Sequence, residues 1–112
     1  MSRDWSGARA KVDAEGACRV CSPVDEAARW RGGKLEAAHI IPRSQVRPGA
    51  GEDPRNIVPL CGPHHYHYDT GDLDILPYLS REEQAYAVSL VGLVGAWRRL
   101  TGEREPMGVR DV

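Results

Sequence analysis

Asn56-Ile-Val-Pro-Leu-Cys61-Gly-Pro-His64-His65-Tyr-His67-Tyr-Asp69 places an apolar run, one cysteine, three histidines and a carboxylate within fourteen residues. Ile57 to Leu60 reads as a strand, and Pro59, which cannot donate to a ladder, sets that strand at a sheet edge or end. Gly62 to Thr70 reads as a helix, because proline is tolerated in a first turn and Gly71 suits the end. On such a helix the neighbours His64 and His65 point about 100° apart, so they can serve two different ions.

Cys18-Arg-Val-Cys21 supplies the other half of one such site. Cys18 with Cys21 and Cys61 with His64 are two pairs, each separated by two residues, the recurring format of a structural tetrahedral zinc site. His67 competes with His64 for the fourth position. A redox pair is the other use of C-x-x-C, but it belongs in a βαβ context that this chain lacks. Three cysteines are an odd number and argue against a disulfide framework.

Upstream, Trp5, Ala8 and Val12 fall on one side of a short helix over residues 2–14, ended by Gly16. Gly32-Gly33 is a turn signal able to join two strands. Lys34 to Pro42 reads as a strand that Pro42 terminates. Arg43 to Arg55 is a polar loop rich in proline and glycine, long enough to be functional or mobile rather than a plain connector. Downstream, Ser80-Arg-Glu-Glu83 is a capping box. The helix it opens carries Tyr86, Leu90, Leu93 or Val94, Trp97 and Leu100 on one apolar face, with Gly102 closing it. Trp97 is therefore expected in the core, with a partner contact as its alternative use. Residues 103–112 have little to bury and are expected to fray.

A chain of 112 residues without phenylalanine is expected to form one domain, residues 1–112, with a core over about 16–72, a last helix over about 81–101, and a metal as staple. A formal net charge of -1 gives no general attraction to nucleic acid. Locally, Arg29, Arg31, Lys34, Arg43 and Arg47 face only Glu36 in the same stretch, a basic run of the kind that meets phosphates. No stretch approaches the roughly 18 apolar residues of a membrane span. The charged N-terminus is unlike a signal peptide, so a reducing cytoplasm is the expected compartment.

Ala38-His39-Ile-Ile-Pro42, Asn56-Ile-Val-Pro-Leu-Cys61 and His64-His65, in this order and interlocked with the cysteine format, resemble the HNH endonucleases over Cys18 to about Asp69. The continuation Asp72-Leu-Asp-Ile-Leu-Pro-Tyr-Leu79 is similar to small HNH proteins of actinobacteria and their phages. The resemblance implies an α+β fold: a small ββα-metal core with a structural zinc knuckle and flanking N- and C-terminal helices. It further implies a metal-dependent endonuclease that hydrolyses phosphodiester bonds of double-stranded DNA with low sequence specificity or by nicking, alongside phage packaging proteins. His39 takes the place of the general base, Asn56 that of the residue holding the loop and orienting it, and His65 that of a ligand to the catalytic divalent ion. That ion is expected to be Mg²⁺ or Mn²⁺, with Ni²⁺ or Zn²⁺ as alternatives. Many family members have a second ligand immediately before the general base, where this chain has Ala38. Asp69, one helical turn after His65, is the preferred substitute, and Glu36, two residues before Ala38 on a strand, the less favoured one. Arg43 and Arg47 are the expected phosphate contacts. The competing reading, resting on Ala38, is a zinc-stapled module that binds DNA or protein on the same scaffold without hydrolysis.

Overall fold

The computed structural model describes residues 5–21 and 35–102. In chain order the elements are α1 (Ser6–Glu15), β1 (Glu36–His39), β2 (Ile57–Leu60), α2 (Gly62–Asp69) and α3 (Arg81–Thr101), with 3-10 turns at Arg43–Gln45, Pro54–Asn56 and Leu76–Tyr78. The Gly32-Gly33 turn, the residues Arg29, Arg31 and Lys34 of the basic run, and the expected fraying tail lie outside the described residues.

The two strands pair antiparallel, Glu36 opposite Leu60, Ala37 opposite Pro59, Ala38 opposite Val58 and His39 opposite Ile57. In the two-stranded sheet of the described residues both strands are edges, which is why Pro59 is accommodated. Side chains alternate across a strand. Ala38, Val58 and Leu60 thus enter the main core with Ile40, Ile41, Tyr68, Ile75, Leu79, Ala87, Ala96 and Leu100. The opposite face is covered by α1, whose Ala8 and Val12 are fully buried against Ile57. Trp5, expected beside them, instead stands at the N-cap of α1 and is 39% exposed. Gly16 ends α1 in the left-handed region, its N–H returning to Val12.

β1 stops at His39, three residues short of the expected Pro42. Ile40 N–H still makes the in-register bond to the Asn56 carbonyl (2.7 Å), but the ladder ends there because Asn56 N–H turns to the Asp53 carbonyl (2.8 Å) and Ile41 N–H to the Asn56 side chain (2.9 Å). The segment between the strands folds back onto the sheet, with Ala50, Gly51 and Glu52 buried.

α3 opens as expected: Ser80 Oγ accepts from Glu83 N–H and Glu83 accepts from Ser80 N–H. It does not continue as one helix. Gly92 sits at φ 83°, ψ 167°, breaking the rod into two halves. A 3.6-residue repeat through the buried Glu83 and Ala87 would run on to Val94 and Trp97, but after the break Ala96 and Leu100 are the buried residues. Leu93, Val94 and Trp97 are 73%, 60% and 45% exposed, so the single apolar face expected from the sequence is corrected, and Trp97 is not a core residue. Among the described residues no helix is long and apolar enough to cross a membrane.

Candidate metal centre and the adjoining histidine cleft

Cys18 and Cys21 follow the glycine that ends α1, Cys61 is the N-cap of α2 and His64 lies in its first turn. The hydrogen bond from Arg19 N–H to the Pro59 carbonyl (3.0 Å) clips the first pair onto β2. The four donor atoms lie within 4.8 Å of one another. His64 Nδ1 is 3.5, 3.5 and 3.2 Å from the sulfurs of Cys18, Cys21 and Cys61, and the sulfurs of Cys21 and Cys61 are 3.8 Å apart. A tetrahedron built from Zn–S near 2.3 Å and Zn–N near 2.05 Å has S···S edges of about 3.8 Å and S···N edges of about 3.6 Å. The donors therefore fit a zinc ion in both chemistry and spacing. All three cysteines are free of disulfides. Burial and the adjoining sulfurs push the Cys21 thiol up to about 12. Metal binding at this cluster would accordingly release protons. His67 is exposed and is not one of the four.

The next residue, His65, faces the other way. It joins His39, Pro42, Arg43, Asp69 and Arg99 in lining a cleft of about 320 Å³. His39 is the last residue of β1. Trp5 meets its ring edge-to-face, centroids 5.2 Å apart, and the buried Glu52 places Oε2 3.6 Å from His39 Nε2. Burial lowers the His39 pKa below the ordinary value, a shift only partly offset by the Glu52 carboxylate, so the neutral imidazole is favoured.

Asn56 is fully buried, and all of its side-chain hydrogen bonds go to backbone: it accepts from Ile41 N–H and donates to the carbonyls of Ile41 and Gly51, each at 3.0 Å. It therefore locks the two ends of the inter-strand segment together, immediately beyond His39, without bonding the imidazole. On α2, Tyr68 is buried and its hydroxyl donates to the Ile40 carbonyl, which ties the helix to the end of β1.

Two carboxylates reach His65 from opposite sides. Glu36 Oε1 is 2.5 Å from Nδ1, and Asp69 Oδ2 is 3.4 Å from Nε2. The position before His39 is not part of the cleft: Ala38 is fully buried in the core. Arg43 lines the cleft, whereas Arg47 is exposed and stands outside it. Reading the sequence missed two residues. Glu52 sits in an irregular segment with no periodicity to announce it, although an acidic residue after Gly51 and before the Asp53 cap was a weak signal. Arg99 lies on α3, where only the helix break brings it round.

The family described as HNH endonuclease matches residues 18–75, just over half of the chain. No curated protein and no solved structure matches the chain.

Proposed function

The chain belongs to the HNH endonuclease family, and from that premise we propose that it hydrolyses phosphodiester bonds of duplex DNA in the cleft between His39 and His65, with zinc held at Cys18, Cys21, Cys61 and His64 as a structural staple. The observation that carries this reading is the placement of His39, His65 and Asp69 around one cleft, on two elements, β1 and α2, held by the cysteine cluster and by the Asn56 clasp just beyond His39. His39 serves as general base. Its Nε2–H faces Glu52, which orients the ring and stabilises the imidazolium formed in the transition state, so Nδ1 takes the proton from the attacking water. The water oxygen bonds to phosphorus as the P–O bond to the leaving sugar oxygen breaks.

His65 Nε2 and Asp69 would hold the divalent ion, and Glu36, accepting from Nδ1–H, fixes the ring and its tautomer. Such an ion supplies positive charge to the developing negative charge on phosphate and leaving oxygen. Two protein ligands with the remainder left to water and phosphate suit Mg²⁺ or Mn²⁺, while imidazole also admits Ni²⁺ or Zn²⁺. On this reading Asp69 is the second ligand and Glu36 the carboxylate that supports His65, so that a ligand pair exists although Ala38 offers none. Arg43 contacts phosphate at the cleft, a contact that carries no base information and goes with low sequence specificity, with nicking as the expected cut.

Supercoiled plasmid incubated with Mg²⁺, Mn²⁺ or Ni²⁺ should be nicked by the unmutated chain, and His39→Ala should lower the rate by about 10²–10⁴-fold. No conversion with any of these ions would overturn the proposal.

A further inference from the structure

Arg99 lies outside the residues matched by the family, on the second half of α3, yet its side chain lines the same cleft as His39 and His65. Its position is built. Ala96 and Leu100 are buried in the main core, and Ile75 N–H donates to the Leu100 carbonyl (2.9 Å). Beyond the helix, Gly102 closes against Gly71 at the end of α2 so tightly that a Cβ there would come within 2.4 Å of the Gly71 carbonyl oxygen. The guanidinium carbon sits 4.4 Å over the ring of Tyr68, whose hydroxyl bonds the carbonyl of Ile40, next to His39.

The ordinary explanation is a cation at a helix C-terminus paired with Asp69. Two observations argue for more. The nearest approach to Asp69 is 3.5 Å, to a carboxylate 56% exposed, a contact of small energetic weight. Arg99 Nε is buried with no acceptor among the described residues. A buried donor left unmade is costly, and an incoming anion would recover that cost. A guanidinium offers five donors in a fork that matches phosphate oxygens. Arg43, from the inter-strand segment, lines the same cleft.

Building on the nuclease reading, we propose that Arg99 is a phosphate-binding residue of the cleft, so that the substrate backbone is gripped from one side by Arg43 in the inter-strand segment and from the other by Arg99 on the last helix. The pair would hold the scissile phosphate between His39 and His65, with the contact from α3 supplied by a part of the chain beyond the family core.

The test measures binding of a fluorescent DNA duplex by anisotropy in a His39→Ala background, with and without Arg99→Gln, over a range of salt. Loss of one phosphate contact should weaken binding about 3–10-fold at 0.1 M salt and reduce the slope of log K against log salt by about 0.9. In the His39 protein, Arg99→Gln should slow single-turnover cleavage at least tenfold while leaving Mn²⁺ affinity unchanged by calorimetry. An unchanged salt slope overturns the proposal. So does a fall in Mn²⁺ affinity that accounts for the whole loss of cleavage, because Arg99 would then act only through Asp69. Arg99→Met keeps the packing on Tyr68 and replaces the Gln variant should that one melt early. If the unmutated chain cuts nothing, the nuclease reading fails by itself, while the binding arm still decides whether Arg99 meets phosphate.

Discussion

Glu52 and His39 form the contact on which the chemistry turns, and its sign can be worked out. Burial lowers the His39 pKa and the Glu52 carboxylate raises it part of the way back. A general base works in its neutral form, so single-turnover nicking should rise with pH along an acidic limb whose midpoint lies below about 6.5, the unperturbed histidine value. Glu52→Gln removes the raising influence, and the midpoint should move further down. The plateau rate should nevertheless fall by about tenfold or more, because the imidazolium formed in the transition state loses the charge that stabilises it. A pH series of nicking rates for both proteins checks this, and a limb that moved to higher pH in the variant would show that Glu52 does not act on His39. At this scale the placement of His39, Asn56 and His65 at strand ends and a helix start was legible from their order, and that of Asp69 beside His65 from a spacing of one helical turn. Glu52 was not, since its partner lies thirteen residues away across a segment whose path no local pattern dictates.

At the scale of the element, the starts and stops were legible and one interior was not. Gly16, Gly71, Gly102, Pro63 and the Ser80 capping box all stand where the sequence places helix ends. The fault lay in reading α3 as one amphipathic rod: Gly92 and Gly95 within its middle were the available signal, and each weakens a helix by about 1 kcal/mol relative to alanine. The break is what turns Ala96 and Leu100 inward and carries Arg99 to the cleft. Gly92→Ala puts a side chain into a backbone region that is essentially reserved for glycine, at a cost of about 1–3 kcal/mol. Open space surrounds the missing Cβ, so the penalty is conformational and not steric. The variant should melt roughly 4–20 °C lower. If α3 relieves the strain by straightening, nicking should fall more than the lost stability explains, because Arg99 leaves its place. An unchanged melting temperature would mean that the break at Gly92 carries no strain.

On the scale of the whole molecule two hubs replace the large core that a phenylalanine-free chain does not build. The cysteine cluster was readable from spacing alone, and it joins the turn after α1 to α2. The second hub was not, because it is made of charges far apart in sequence that only the folded chain assembles. Glu83, nearly fully buried, accepts from Arg19 Nη1 and Nη2 at 2.9 and 2.8 Å and from Lys11, and also closes the Ser80 capping box. Lys11 in turn donates to the carbonyls of Pro54 and Ile57 at 2.7 Å each, and Arg19 to that of Tyr78 at 2.8 Å. One carboxylate thereby ties α1, the knuckle, β2 and α3 together. Burial pushes its pKa up, but the hydrogen bonds from Arg19, Lys11 and the Ser80 N–H outweigh this and hold it down to about 2. A folded pKa below the ordinary carboxylate value of about 4.3 means that this contribution is fully present above that pH and is lost as pH falls toward 2. Thiolates at the zinc site also protonate in acid, so the decisive quantity is the difference between the unmutated protein and Glu83→Gln. At neutral pH the variant should be less stable by about 3 kcal/mol, near the lower end for a broken buried pair, because Arg19 keeps Glu15 and Lys11 keeps its carbonyls. That gap in denaturant-measured stability should shrink between about pH 4.5 and 2 as Glu83 takes up its proton. A gap that stayed constant over this range would mean that Glu83 contributes through its shape and not through its charge.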